Sequence, residues 1–422
     1  MASRTPSRSL SSASLPADDT SSSTSVPAAE PFAAEKEAKL ASLLVACQNA
    51  DLHALIELAA SAHGLVNDTV RRTAWPILLG CGTQSSDGRE GWKALPEHRD
   101  ENQVALDVNR AFVYYPIESE KQLDRRKEHL SDVIVEVLRR YPALCYFQGY
   151  HDIVQVFLLV LGAQDAPPAV ARLSLLRIRD FMLPSLDPAI SHLELLPPII
   201  QSADPVLFNH LPQAKPFFAL ASTLTLFAHV IQAYGDIARL FDFFLATDTV
   251  MPVYFFAAVL LSRREELLEI EKEDVDIFHA TLGKLPQHLD LERLVDQSRA
   301  LYSRFPPPYL RGWAWWRISS SSVLKASRTP ADIASTRLET GLELLRKQET
   351  ELQRKLAFDK ALKRTTYIKT QLWYYRRSGT YGLAIAAGLY ALWLGRNGGT
   401  GSRFLANGPV GDLLRRLAGT FA

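Results

Sequence analysis

The sequence lacks the signatures of the commonest enzyme classes. It has no phosphate-binding G-x-x-x-x-G-K-[ST] loop, no H-E-x-x-H pair and no G-x-S-x-G elbow, which argues against a P-loop nucleotide site and a serine hydrolase. It also has only three cysteines, Cys47, Cys81 and Cys145. Their number is odd and their spacing does not suit a metal site, so we expect a reducing compartment.

The chain has almost no net charge. Its 422 residues include 47 basic and 46 acidic ones, for a formal charge of +1. This balance gives no whole-chain signal for nucleic acid or a polyanionic substrate, and we expect no nucleic-acid partner. Hydrophobic residues make up 47% of the chain, which is enough for a large buried core.

Sustained alternation of polar and apolar residues is absent as well, which disfavours strands. Apolar residues instead recur at helical spacing, and prolines separate many of the predicted helices. One clear stripe comprises Leu130, Val133, Ile134, Val137 and Leu138. The expected fold class is therefore all-α, with an irregular multi-helix domain, and the lack of a fixed repeat disfavours a solenoid.

Composition divides the chain into five segments. Residues 1–34 are rich in Ser, Thr, Pro and Ala and have no apolar signal-peptide region, so we expect a disordered N-terminal segment. The other segments are a helical domain (35–325), a charged helical stalk (326–377), a membrane-spanning helix (378–396) and a short tail (397–422).

Leucines in the stalk recur at nearly heptad spacing, at Leu338, Leu342, Leu345, Leu352 and Leu356. Charged residues interrupt this seam. The pattern is typical of a solvated helix that packs one edge on the domain, and the alternative is a short coiled coil.

The predicted membrane helix is an uncharged run near the C-terminus. The 17 residues from Gly379 to Gly395 carry no charge and would span about 26 Å as a helix, close to the thin bilayer of the endoplasmic reticulum. Basic and aromatic residues flank the run on both sides, which favours a membrane span over a buried core helix. More Lys and Arg precede the run than follow it, so we expect a tail anchor with the helical domain in the cytosol.

Three short motifs follow one another in the helical domain. They are Arg71-x-x-x-Trp75, Val104-x-x-Asp107-x-x-Arg110 and Tyr146-x-Gln148-Gly149-x-x-Asp152. In this order they closely resemble the R-x-x-x-W, I-x-x-D-x-x-R and Y-x-Q-G-x-x-D motifs of the TBC domain of Rab GTPase-activating proteins. The resemblance covers roughly residues 60–310, and one departure is Val104, where the family usually has Ile.

The resemblance implies a GTPase-activating protein that acts on a GTP-bound Rab GTPase. By this resemblance Arg110 is an arginine finger and Gln148 a second finger that positions the attacking water. Residues implied to orient the fingers are Asp107, Tyr146, Gly149 and Asp152, and residues implied to be structural are Arg71 and Trp75. The chain would need no metal or cofactor of its own, since GTP and Mg²⁺ are bound by the partner GTPase.

The C-terminal span resembles the family members anchored in the endoplasmic reticulum, which act in early secretory traffic. The resemblance therefore implies a location in the membrane of the endoplasmic reticulum or the early Golgi, with the TBC domain facing the cytosol.

Helical spacing also predicts the setting of the second motif. If the helix continues to Tyr115, Val104 and Val108 lie on its buried stripe, Asp107 lies at the flank of that stripe, and Arg110 points toward solvent. Asp107 and Arg110 are three residues apart, so we expect them to pair.

The third motif is expected in a loop that opens a helix. Such a loop presents the side chain of Gln148 to a partner, and Asp152 is also a candidate N-cap of the helix that follows.

Two other functions compete with this interpretation. One is an all-α metal phosphohydrolase in which His151 and Asp152 bind a divalent metal with His98 or His129. The other is a catalytically silent membrane adaptor that binds a Rab GTPase without accelerating hydrolysis.

Overall fold

The computed structural model describes residues 29–82, 91–286 and 289–396. Over these ranges the chain forms helices and turns and no strand, so the all-α prediction is confirmed. The helices are α1 (Ala29–Gln48), α2 (Leu52–Ala60), α3 (Asp68–Leu79), α4 (Glu101–Asn109), α5 (Glu120–Arg140), α6 (Tyr150–Leu176), α7 (Asp187–Leu193), α8 (Leu196–Ala203), α9 (Pro205–His210), α10 (Leu220–Leu224), α11 (Tyr234–Ala246), α12 (Met251–Ser262), α13 (Arg264–Glu269), α14 (Val275–Leu282), α15 (Leu291–Arg304), α16 (Ala314–Arg317), α17 (Val323–Ala326), α18 (Pro330–Ser335) and α19 (Leu338–Arg396).

The chain divides into two compact units, of which the first ends at Arg346. In this first unit α5 packs along α6, α12 along α15, and α3 against both α6 and α11. Trp75 is fully buried, with its ring centroid 5.1 Å from that of Phe157 and 6.0 Å from that of Phe241. Burying one phenylalanine contributes about 1.5–3 kcal/mol, so such clusters supply the main force that holds the helices together.

Arg71 and Trp75 lie about one turn apart on α3 and bind the same buried carboxylate. Arg71 Nη2 donates to Asp242 Oδ2 at 2.9 Å, and Trp75 Nε1 donates to Asp242 Oδ1 at 2.8 Å. The backbone N–H of Leu65 donates to the same carboxylate at 3.0 Å. A buried charge is tolerated when it is paired and hydrogen-bonded, so this group joins α3 to α11 inside the core.

Helix α6 is kinked rather than straight. Gly162 has φ 80° and ψ 168°, which breaks the helical path in a conformation that glycine adopts without strain. Pro167 and Pro168 lie shortly after this break, inside α6. Each proline lacks the N–H that would otherwise donate to the carbonyl four residues earlier.

Within the described ranges, α6 is the one helix that has both the length and the mean hydropathy of a membrane span, and α19, which contains the predicted anchor, does not meet both measures. Two thirds of the most apolar stretch of α6, 67%, is buried inside the structure. Helix α6 is therefore part of the core, and its apolar composition reflects this burial.

Helix α1 begins earlier than expected. It starts at Ala29, although the predicted disordered segment extends to residue 34. Alanine and glutamate dominate residues 29–35 and are strong helix formers, and Pro31 stands in the first turn, where a helix tolerates proline. The rest of that segment, residues 1–28, lies outside the described residues.

Helix α19 begins in the first unit, where Leu338, Leu342 and Leu345 belong to the core or pack against it. The second unit, from Lys347 onward, is described up to residue 396 and consists of the continuation of α19. The stalk from Leu338 onward and the predicted span 378–396 are both helical, and the side chains of residues 384–391 are exposed. The membrane anchor stays a prediction, and the tail 397–422 lies outside the described residues.

Candidate functional site

The second motif lies at the end of α4. The helix ends at Asn109, and Arg110 is its C-cap with φ −101° and ψ 9°, so the helix stops well before Tyr115, contrary to expectation. Phe112 has a left-handed φ of 62°, and its N–H donates to Oε1 of the buried Gln155 at 2.9 Å. This long-range hydrogen bond holds the turn after Arg110 and explains why the helix does not continue.

Asp107 is fully buried, which is deeper than a position at the flank of the apolar stripe alone predicts. Its Oδ1 accepts hydrogen bonds from Arg110 Nη2 at 2.6 Å and from Gln103 Nε2 at 3.0 Å. Its Oδ2 accepts one from the Tyr146 hydroxyl at 2.8 Å. These donors compensate the carboxylate for its loss of water. The expected pairing of Asp107 with Arg110 is present, and it leaves 56% of the Arg110 side chain exposed.

Tyr146 connects the second motif to the third. Burial, together with the hydrogen bond to Asp107, raises the pKa of Tyr146, so the phenol stays protonated and continues to donate. Its hydroxyl also lies 3.2 Å from Nδ1 of His151. The backbone N–H of Tyr146 donates to Asp100 Oδ2 at 2.9 Å. Since Asp100 is the N-cap of α4, this bond ties the loop before α6 to the start of α4.

Gln148 is exposed on the loop that opens α6, as the sequence predicts. The next residue, Gly149, is the N-cap of α6 and has a φ of 101°, which residues with a side chain rarely adopt. A Cβ atom at this position would lie 2.5 Å from Cγ2 of Thr225. The backbone that follows Gln148 therefore requires glycine for two separate reasons.

Asp152 lies in the first turn of α6 but is not its N-cap, because Gly149 occupies that position. Oδ2 of Asp152 lies 2.9 Å from Nδ1 of His229, and its Oδ1 lies 3.3 Å from Nε2 of His151. The hydrogen bond to Asp152 raises the pKa of His229, whereas burial lowers the pKa of His151. Asp152 therefore favours the cationic form of the more exposed histidine and is held between two side chains.

Residues from the second and third motifs line one open cleft with a volume of about 620 Å³. Arg110 and Gln148, the two predicted fingers, both face this cleft, together with Asp152, His151 and His229. Arg110 presents a permanent cation and Gln148 presents an amide to the same space. An open cleft with exposed donors suits oxygen-rich groups that another molecule carries into it.

Sequence reasoning missed His229 and Gln155. His229 stands 77 residues after Asp152 and belongs to no motif, so nothing local in the sequence singles it out. Gln155 is different, because it is a polar residue inside the apolar run from Ile153 to Leu161. A buried amide usually has a hydrogen-bonding partner, and this rule identifies Gln155 as a residue that holds some backbone in place.

Within the described residues, no three His, Cys, Asp or Glu side chains are grouped so that they could hold a metal ion. Nε2 of His98 lies 3.0 Å from the carbonyl oxygen of Leu144, and His129 is exposed on α5. The His151–Asp152 pair has Tyr146 and His229 as neighbours instead.

Comparisons with known proteins match the chain in sequence. Residues 68–268 match the family model of the Rab-GTPase-TBC domain. The chain is 37% identical over 284 residues to TBC1 domain family member 20 of Bos taurus, and the aligned region covers 66% of this chain and 70% of that protein. It is 32% identical over 314 residues to the GTPase-activating protein gyp10 of Schizosaccharomyces pombe, and the aligned region covers 73% of this chain and 83% of that protein.

The fold also has a match among solved structures. The crystal structure of the Ypt/Rab-GAP domain of Gyp1p superposes with a TM-score of 0.51 at 16% identity and covers 60% of this chain and 94% of that chain. At this level of identity the similarity concerns the helical fold.

Proposed function

Because the chain belongs to the Rab-GTPase-TBC domain family, we propose that it is a GTPase-activating protein for a Rab GTPase and supplies Arg110 and Gln148 to the nucleotide in trans. Its relative in S. pombe is named as a GTPase-activating protein. The chain is thus an activator that completes the active site of its partner. GTP and Mg²⁺ belong to the partner, and the cleft needs no cofactor of its own.

Arg110 would stabilise the charge that builds up on the phosphoryl oxygens. GTP hydrolysis depends mostly on positioning and on electrostatic stabilisation, and a guanidinium offers a permanent charge with several donors. Such a finger supplied in trans accelerates hydrolysis by about 10³–10⁵, which corresponds to roughly 4–7 kcal/mol of barrier. Asp107 binds one edge of the guanidinium and leaves the rest for the incoming nucleotide.

Gln148 would hold the attacking water in line. Its amide has both a donor and an acceptor, so it can accept from the water and donate to an oxygen at the same time. Gly149 fixes the backbone next to it, which limits the range of positions that this side chain can reach.

One observation carries the proposal. Arg110 and Gln148 come from motifs far apart in the sequence, yet both line the same open cleft. Asp107 and Tyr146 connect the two motifs by a buried hydrogen bond. A cation and an amide that line one cleft can reach one nucleotide, whereas residues on opposite faces of the domain could not.

The C-terminal part of α19 is proposed to anchor the protein in the membrane of the endoplasmic reticulum or early Golgi. Ile385, Leu389 and Trp393 are large apolar side chains that are at least 60% exposed. Exposed apolar side chains along a helix favour a lipid environment. The anchor would keep the GTPase-activating domain on the cytosolic side, where Rab GTPases of early secretory traffic are available.

A panel of purified Rab GTPases tests this function. Each Rab is loaded with GTP, and single-turnover hydrolysis is measured with and without the full chain in mild detergent. We expect strong acceleration for at least one Rab. Binding to GTP-loaded Rabs without acceleration would support the adaptor instead, and hydrolysis of phosphate esters without any Rab would support the phosphohydrolase.

A further inference from the structure

The first unit exposes three large aromatic side chains within eight residues of sequence. Tyr309, Trp313 and Trp316 are 85%, 72% and 60% exposed. A soluble surface rarely gathers large apolar side chains in this way, and such patches usually mark a binding site. This segment lies between α15 and α17 and lines none of the cleft that holds Arg110.

The segment is held firmly although its aromatic side chains face outward. Leu310, Trp315 and Ile318 alternate with the exposed residues and are buried in the core. The N–H of Arg317 donates to the carbonyl oxygen of Trp313 at 3.0 Å, which closes a helical turn. This turn packs against the 3₁₀ turn Pro307–Tyr309. The exposed rings therefore stand on a supported backbone rather than on a loose loop.

The sequence around these rings carries charge of one sign. Residues 297–331 contain six basic side chains and no Asp or Glu. Lys325 and Arg328 are partly buried and bind the Ile318 carbonyl and Asp248. Among the described residues, no ion pair involves Arg304, Arg311 or Arg317, and all three are exposed. We call the exposed rings of Tyr309, Trp313 and Trp316, together with these three arginines, the Trp–Arg surface.

We propose that the Trp–Arg surface binds the headgroup region of an anionic membrane. Tryptophan and tyrosine favour the boundary between lipid and water, because their rings are apolar at one end and polar at the other. Arginines near the bilayer surface are attracted to anionic lipid headgroups within about a Debye length. Since residues 297–331 contain no carboxylate, the segment itself adds no repulsion toward an anionic surface.

This contact is a second membrane interaction, made by the GTPase-activating domain itself. It would fix which face of the domain lies toward the lipid. The inference does not depend on the C-terminal anchor or on the activity toward Rab GTPases, because it uses only residues 304–317 and their surroundings.

Hydrogen–deuterium exchange of the full chain tests the proposal. The chain is mixed with vesicles of phosphatidylcholine alone or of phosphatidylcholine with phosphatidylserine, and exchange is followed in the peptide 309–317. We expect slower exchange in this peptide with the anionic vesicles, and a smaller effect with the neutral ones. Unchanged exchange in α6 within the same experiment shows that the fold is intact.

Two variants separate the aromatic and the electrostatic contributions. Trp313→Ala/Trp316→Ala should abolish the protection. Each arginine near an anionic surface contributes roughly a fivefold factor in binding, so Arg311→Gln/Arg317→Gln should shift the bound equilibrium by on the order of 25-fold. As a matched control, Val206→Ala/Ile277→Ala removes two other exposed apolar side chains and should change nothing.

Three results would overturn the proposal. The first is exchange in 309–317 that anionic vesicles do not slow. The second is equal protection by both kinds of vesicle that survives the tryptophan substitutions. The third is protection that appears without lipid when a GTP-loaded Rab is added, which would identify the surface as a protein-binding site.

Discussion

The hydroxyl of Tyr146 donates to Oδ2 of Asp107 at 2.8 Å, and this bond joins the two motifs that carry Arg110 and Gln148. The other oxygen of Asp107 holds Arg110 at 2.6 Å. Two residues after Tyr146 comes Gln148. One buried carboxylate therefore sets the position of the cation directly and the position of the amide through the loop.

Tyr146→Phe tests this connection. The variant removes a donor from a buried charge, which costs about 1.5–3 kcal/mol of stability. Small displacements of a catalytic group lower rates by up to about 100-fold, so we expect a 10- to 100-fold loss of Rab-stimulated hydrolysis in single-turnover assays.

Tyr150→Phe is the matched control for that variant. The Tyr150 hydroxyl forms a buried hydrogen bond of 2.7 Å with Ser174, outside the cleft. This variant should lose stability but keep its stimulated rate. Equal losses of rate in both variants would mean that Tyr146 contributes only to folding.

Gly149→Ala tests the backbone beside Gln148. A side chain at a φ of 101° costs about 1–3 kcal/mol, and the new Cβ also meets Cγ2 of Thr225. We expect lower stability by urea unfolding and a lower stimulated rate. Adding Thr225→Ser removes that methyl group but keeps the hydroxyl, which donates to the Ala221 carbonyl at 2.8 Å.

The double variant should therefore recover part of the loss, because it relieves the steric contact but not the backbone strain. A single Gly149→Ala variant with wild-type stability and rate would contradict this account of the loop.

Arg71→Ala tests the structural role of the first motif. It leaves the buried Asp242 without its cation, and breaking a buried pair in this way costs about 3–5 kcal/mol. Arg72→Ala is the control, because Arg72 is exposed and makes one bond to the Val160 carbonyl at 3.0 Å. Urea unfolding followed by tryptophan fluorescence should show a large loss for the first variant and less than about 1 kcal/mol for the second.

Acid sensitivity should depend on Asp180. Burial alone would raise its pKa, but the hydrogen bond and charge of His192, at 2.8 Å, outweigh this and lower the pKa of Asp180 to about 2, from 3.8. A lowered pKa means that the ionised carboxylate stabilises the fold above pH 4, and that this stability, roughly 2 kcal/mol, is lost as the pH falls toward 2.

Asp180→Asn has no carboxylate at this position that could be protonated. The variant therefore lacks the part of the unfolding free energy that depends on the ionisation of Asp180. The difference in unfolding free energy between wild type and Asp180→Asn should therefore shrink as the pH falls from about 5 to 3. A difference that stays constant over this range would show that Asp180 does not keep a lowered pKa.

The sequence allowed parts of this structure to be predicted and not others. The stripe from Leu130 to Leu138 predicts α5 because one apolar face follows one continuous helix. The same reasoning failed from Arg110 to Tyr115, where apolar residues keep helical spacing after the backbone has left the helix. There the deciding interaction is the bond from Phe112 to Gln155, 43 residues away.

The candidate site likewise contains residues that the sequence predicts and contacts that it does not. The motifs identify Arg110, Gln148 and their close neighbours, because those residues lie at fixed spacing. The burial of Asp107 and the pairing of Asp152 with His229 depend on segments that meet only in the folded chain. No local pattern reports such contacts.

The most direct test compares Arg110→Ala and Gln148→Ala with wild type in single-turnover hydrolysis by the responsive Rab. An exposed arginine outside the cleft, changed in Arg293→Ala, serves as the control. We predict that Arg110→Ala lowers the stimulated rate at least about 100-fold, that Gln148→Ala also lowers it strongly, and that the control does not. Full stimulation by Arg110→Ala would contradict the claim that this side chain acts on the nucleotide.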